Sequence, residues 1–244
     1  MQQSIPRKII NRLKQLFGRK KSEDFYTMRP SKAIAAEIWK SQTPDRLIDL
    51  TLAAVAVARK VSHRDIVEKM KSPPYWPEIW PGEKYKLLSG IVATLKPSII
   101  VEIGTAQGLS IMSMKKFLPQ DGKIFSFDVR PWNTISGTVL TSSDFEDGHL
   151  IQINEDLGDK MVFSKHAAIL RQASLIFIDV GNDDERNEEK RFLENFESLD
   201  FATHPIFILN DIRLEGMIDI WHNVKKPKLD VTSFGHWSGN GLID

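Results

Sequence analysis

Two periods of hydrophobic spacing run through this chain, and the switches between them mark its elements. Ile99-Ile100-Val101 is a short apolar run, β-branched throughout and free of charge. Leu109, Ile111, Met112, Met114, Phe117 and Leu118 follow at helical spacing, Pro119 and Gly122 close that segment, and Ile124 to Phe127 gives a second strand. Strand, turn, helix and strand over 97–132 make one βαβ unit, for which a parallel sheet and a right-handed crossover are the default. Further strands are expected at Leu150–Ile153, Ser174–Asp179 and Pro205–Leu209, with a final hairpin turning at Gly239-Asn240-Gly241 into Leu242-Ile243. A helix starting near Asp184 carries Phe192, Leu193 and Phe196, and its acidic first turn suits the helix dipole. The fold class is therefore α/β.

Upstream of the first strand the pattern is helical. Leu47–Val61 (LIDLTLAAVAVARKV) is apolar on most sides and reads as a buried helix. Ser62–Lys71 opens on a good cap, and Glu83–Leu95 presents Leu87, Leu88, Ile91, Val92 and Leu95 on one face. Between the last two lies Ser72–Gly82, whose prolines fix φ and remove donors, so it forms no regular element. Its aromatics, Tyr75, Trp76 and Trp80, suit either a lid over a ligand or a plug packing helices onto the sheet. Residues 1–21 place Ile5, Ile9, Leu13, Leu16 and Phe17 at helical spacing, with Arg7, Lys8, Arg12 and Lys14 towards the other side. Such a basic leader can lie on an anionic membrane or dock on a partner, and a solvated tail is the alternative. The expected organisation is a leader over 1–21, a helical cap and aromatic lid over 22–82, and a catalytic domain over 83–244.

Composition narrows the function classes. The seven Lys or Arg of residues 1–21 leave 26 basic against 32 acidic residues in the remainder, so the body is not built as a nucleic-acid surface. The chain has no Cys, which excludes disulfides, thiolate metal sites and a thiol nucleophile, and fits a reducing cytoplasm, with the leader allowing peripheral membrane attachment. No apolar run approaches the roughly 18 residues that span a bilayer.

The turn after the first strand, Glu102-Ile103-Gly104-Thr105-Ala106-Gln107-Gly108, carries the readable chemistry. Glycines at 104 and 108 let backbone approach a ligand and let helix pack on strand. Asp128 ends the next strand, where a carboxylate can accept hydrogen bonds from ribose hydroxyls. The spacing is Gly-x-x-x-Gly after an acid, not G-x-G-x-x-G, and Glu102 would repel a pyrophosphate. An adenosine ligand with a cationic amino-acid tail suits it better.

VEIGTAQG followed by FSFDV resembles motif I and the acidic motif II of class I S-adenosylmethionine (SAM) methyltransferases. WPGEKYKLLSGIVATLKPSIIVEIGTAQG and LIFIDVGNDDE are similar to the small-molecule and sugar O-methyltransferase branch, and the likeness covers about 80–244. It implies a Rossmann-like seven-stranded sheet of order 3-2-1-4-5-7-6 with helices on both faces. It implies SAM bound by Glu102, Gly104, Thr105, Gly108, Ser110, Asp128, Val129, Asp156 and Asp179, with Glu155 the alternative to Asp156 at the adenine. Trp132 would border that pocket or join the core.

Asp179 closes the fourth apolar run, and Asn210-Asp211 closes the fifth. Neighbouring strands lie about 4.8 Å apart, so these three can converge as hard oxygen ligands of the kind Mg²⁺ prefers. The family's metal site has the same composition, but its pair runs Asp then Asn in the catechol branch. The metal would act as Lewis acid and template, against the alternative that Asp211 merely caps the next helix. Related sequences place a His where this chain has Asn182, which cannot take a proton at neutral pH. His236 is the substitute candidate for general base beside Asp179; His222 reads as a helix-surface residue. The expected function is methyl transfer to an oxygen of a small-molecule or glycan acceptor by a monomer or a homo-oligomer. Two rivals stay open: a metal-binding hydroxylase of the cephalosporin type on the same fold, and a non-catalytic SAM-fold subunit.

Overall fold

The computed structural model describes residues 43–180 and 187–244. The basic leader and Asn182 to Glu185 lie outside the described residues. The chain enters as helix α1 (Asp45–Ala58) and a single helical turn, α2 (Arg64–Val67), where the sequence predicts a longer helix. The proline-rich stretch holds only a 3₁₀ turn at Trp76–Glu78. Helix α3 (Tyr85–Leu95) then leads into β1 (Ile99–Ile103), α4 (Leu109–Lys115) and β2 (Lys123–Phe127). After two 3₁₀ turns come β3 (Leu150–Ile153), α5 (Lys160–Leu170), β4 (Leu175–Ile178), α6 (Asn187–Glu197) and β5 (Ile206–Asn210). Helix α7 (Met217–Asn223), β6 (Lys228–Asp230) and β7 (Asn240–Ile243) complete the chain.

The seven strands form one sheet of order β3-β2-β1-β4-β5-β7-β6. The pairs among β1 to β5 are parallel, and β7 runs antiparallel to both β5 and β6. That is the expected order. Side chains alternate across each strand, so the sheet divides its apolar residues between two cores. One face takes Ile100, Ile124, Leu175, Phe177 and Ile208 beneath α1, α3 and α4. The other takes Val101, Ile103, Phe127, Ile176, Ile178 and Leu209 against Phe163, Phe192, Phe196 and Trp221 of α5, α6 and α7. A fully covered β4, buried along its whole length, explains the uninterrupted LIFI run.

Helix α1 shares the core of α3. A Cβ on Gly90 would stand 2.2 Å from the Ala54 carbonyl oxygen, so only glycine permits this crossing. The segment between them is stitched down. Buried His63 spans the Pro77 carbonyl at 3.0 Å and the Ser89 hydroxyl at 2.8 Å. Glu78 accepts from Ser62 and from Lys86 at 3.0 and 2.6 Å, and from the His63 amide. Downstream, the Trp80 indole donates to the Phe234 carbonyl at 2.7 Å, while Gly82 exchanges backbone bonds with Gly235 and Trp237. Tyr75 and Trp76 remain exposed, so they do not plug the core. Trp132 stacks on Phe145 and packs against the first core.

Candidate functional site

The elbow between β1 and α4 carries three left-handed residues, Gly104 (φ 100°), Ala106 (φ 41°) and Gly108 (φ 81°). Gly104 is required twice over: its φ disfavours any side chain, and a Cβ there would lie 2.2 Å from the Asp179 carbonyl oxygen. The turn aims the Thr105 and Ala106 amides at Asp128 Oδ2, at 3.1 and 3.2 Å, and Arg130 N–H reaches Oδ1 at 2.9 Å. Alternating backbone of this kind makes an anion-binding nest. Here the chain's own carboxylate fills it and takes the Thr105 and Ala106 amides that a pyrophosphate would need. Asp128 also keeps lone-pair capacity on Oδ1 for a hydroxyl.

The elbow opens on a cleft of about 320 Å³ along the carboxyl ends of the central strands. One end is walled by Asp128, Val129, Glu155 and Asp156, the other by Asp179 and Asp211. Asp156 accepts from Gly158 N–H at 2.8 Å and pairs with Arg191 at 3.4 Å. Glu155 is taken by Lys165 and His166, each at 2.5 Å. A smaller recess, lined by Lys84, Tyr85, Gly104 to Ser110 and Asp179, adjoins the cleft at Gly104 and Asp179.

Glu102 and Thr105 face the interior. Glu102 is 0% exposed, and its two oxygens accept from Ser110 and Ser126, each at 2.6 Å. Burial pushes its carboxyl up to about 8, against the pull of both serines. Thr105 Oγ1 joins Ser126 at 2.8 Å and accepts from Gln152 at 3.1 Å. These groups form a continuous polar chain beneath the elbow; Glu102 and Thr105 shape the cleft from below. Strand parity is the reason: Glu102 shares its face with Ile100, while Ile103, on the other face, lines the cleft.

Asp179, Asn210 and Asp211 do converge, because β4 and β5 pair in register up to Ile178 and Leu209. Their donors are committed differently from a metal site. Asp179 Oδ1 accepts from Asn210 Nδ2 at 2.7 Å, and Asp179 Oδ2 receives Lys84 Nζ at 2.5 Å. Asn210 Oδ1 accepts from Asn240 at 2.9 Å. Asp211, at a left-handed φ of 61°, accepts from Ser238 and faces His236 Nδ1 at 3.6 Å. Burial opposes ionisation of Asp211, but His236, Ser238 and Lys84 together hold its carboxyl below the usual range. His236 Nε2 in turn faces Glu83 at 3.4 Å, and burial raises the Glu83 carboxyl against the pull of His236 and Lys84. An ammonium on Asp179 and the Asn210 amino group turned towards the same carboxylate put a cation and a donor where a metal ion would sit, so the residues as arranged do not fit Mg²⁺. Among the described residues, no group of three or more His, Cys, Asp or Glu is arranged to hold a metal ion.

Lys84 is what the sequence reading missed. It is 7% exposed and lies near the faces of Tyr85 and Phe177. Burial alone would lower its ammonium, but Asp179, Tyr85 and Asp211 raise it on balance. A signal existed: position 84 stands three and four residues before Leu87 and Leu88, on the buried stripe of α3.

The sheet order with its antiparallel seventh strand defines the Rossmann-like fold of class I methyltransferases. No protein-family model and no curated protein matches the chain. Among solved structures, a methyltransferase from Geobacter sulfurreducens is similar at 14% identity and TM-score 0.47, over 84% of this chain and 91% of its own. A proposed caffeoyl-CoA O-methyltransferase from Staphylococcus aureus is similar at 16% identity and TM-score 0.47, over 81% and 96%. The MycE methyltransferase of the mycinamycin biosynthetic pathway, in complex with Mg and SAH, is similar at 16% identity and TM-score 0.35. That last similarity spans 47% of this chain and 28% of MycE. Similarity at this level carries no argument about activity. Among the described residues no helix is long and apolar enough to cross a membrane.

Proposed function

We propose that this chain transfers the methyl group of SAM to an oxygen of a small-molecule acceptor, a sugar or glycan precursor being the favoured class. One observation carries the reading: the glycine elbow is filled by Asp128 and opens sideways onto a cleft with acidic groups at both ends. A dinucleotide needs free amides at the elbow; a nucleoside with a sulfonium does not. The ribose hydroxyls meet the remaining capacity of Asp128. Val129 lies under the adenine, and Asp156 meets its exocyclic amine. Gly104, Gly108 and Ser110 border the recess for the amino-acid tail.

Methyl transfer forms an O–C bond as the S–C bond breaks, and the acceptor loses one proton. Its chief requirement is alignment of oxygen, methyl and sulfonium. Asp211, kept ionised at the cleft wall, orients the acceptor hydroxyl and accepts its proton as the O–C bond forms, with His236 placed 3.6 Å behind it. In this reading no step passes through a divalent ion. The test is titration calorimetry with SAM and S-adenosylhomocysteine, followed by radiolabelled methyl transfer to hydroxylated acceptors. Absence of SAM binding would sink this function.

A further inference from the structure

From this arrangement we infer that Lys84 supplies, as a permanent part of the chain, the positive charge for which the Asp179–Asn210–Asp211 cluster is shaped. The inference rests on the proposed function only for its consequence in catalysis; the occupancy of the cluster stands on geometry. Lys84 Nζ lies 2.5 Å from Asp179 Oδ2 and also acts electrostatically on Asp211. The ammonium thus pairs directly with one of the two carboxylates that the sequence assigns to a metal and acts through space on the other. It comes from the N-cap of α3, outside the strand ends that provide the acids.

The amide network fixes this charge pattern. Asn240 donates to the Asn210 oxygen, which turns the Asn210 amino group towards Asp179. Asp179 is therefore approached by two donors, one neutral and one cationic. A divalent ion would have to evict the ammonium and reverse the amide. Buried ammonium groups are costly to strand without a partner, so the eviction is opposed from both sides. The end of the cleft walled by Asp179 and Asp211 accordingly carries its own cation, and turnover needs no added one.

The test uses Mn²⁺ alone, followed by electron paramagnetic resonance on the full chain, with SAM affinity measured in parallel in chelator. The expected result is no stoichiometric Mn²⁺ binding by the wild type below millimolar concentration, and unchanged SAM affinity in EDTA. Lys84→Met should tighten Mn²⁺ binding at least tenfold, and Asp179→Asn on that background should remove the gain. Two results would overturn the inference: stoichiometric micromolar Mn²⁺ binding by the wild type that Asp179→Asn abolishes, or no gain of Mn²⁺ affinity in folded Lys84→Met. Should Lys84→Met not fold, Lys84→Gln is read in the same way, and the wild-type titration decides if neither folds. Because the metal titration contains no SAM, loss of SAM binding would refute the methyltransferase reading and leave this one standing.

Discussion

Replacing Glu102 by Gln is the sharpest probe of the elbow's foundation. The side chain is fully enclosed, and each oxygen accepts one serine hydroxyl at 2.6 Å. Burial outweighs those bonds and lifts its carboxyl from 4.5 to about 8. Between those values the folded chain retains a proton that the unfolded chain has released. Stability therefore falls as pH rises through this window, by about 1.4 kcal/mol per unit and by roughly 4–5 kcal/mol across it. Gln is isosteric and does not titrate, so the variant lacks this slope. Urea denaturation of wild type and Glu102→Gln at intervals from pH 5 to pH 8.5 isolates the term, since all other groups cancel in the difference. The variant should gain on the wild type by at least 2 kcal/mol over that range, with the m-value unchanged. A difference constant within about 0.5 kcal/mol would show that the serines fully stabilise a charged carboxylate, and the reasoning would fail.

Gly104→Ala should cost about 2–4 kcal/mol, from a left-handed φ and a 2.2 Å approach to the Asp179 carbonyl, and should abolish SAM binding; thermal melts and calorimetry read the two effects. Asp128→Ala strips the partner from three backbone amides and should lower stability by about 2–3 kcal/mol and SAM affinity at least tenfold in the same assays. The His63 imidazole is held below 6.5, chiefly by burial, so its neutral form stabilises the fold above 6.5 and that contribution is lost as pH falls through this range. His63→Ala should therefore cost about 2–3 kcal/mol at pH 8 and less at pH 5.5, by urea denaturation.

The central strands could be located from sequence because each is a short apolar run ending at a turn, while their order was what the resemblance to class I methyltransferases implied. The same runs placed Asp179, Asn210 and Asp211 side by side at the carboxyl edge. What those groups bind could not be read, because it depends on side chains from distant segments. Lys84 arrives from the N-cap of α3, Asn240 from β7, and Ser238 and His236 from the turn before β7. Lysine also reads by default as a surface residue, which hid Lys84 despite its place on an apolar stripe. Glu102 was assigned to the ligand by its neighbours in sequence, whereas the pleat of β1 turns it inward. Helix α5 lacks a clear apolar face, and only Asp159, whose carboxylate caps Met161 and Val162, announces it.

The bonds between Trp80–Gly82 and Phe234–Trp237 have a mechanical consequence. These two segments are tied into one unit, and His236 sits on the second of them, facing Glu83 just beyond the first. Displacing the proline-rich stretch would draw the imidazole away from Asp211. The place of His236 opposite Asp211 is in this way coupled to the seating of the proline-rich stretch.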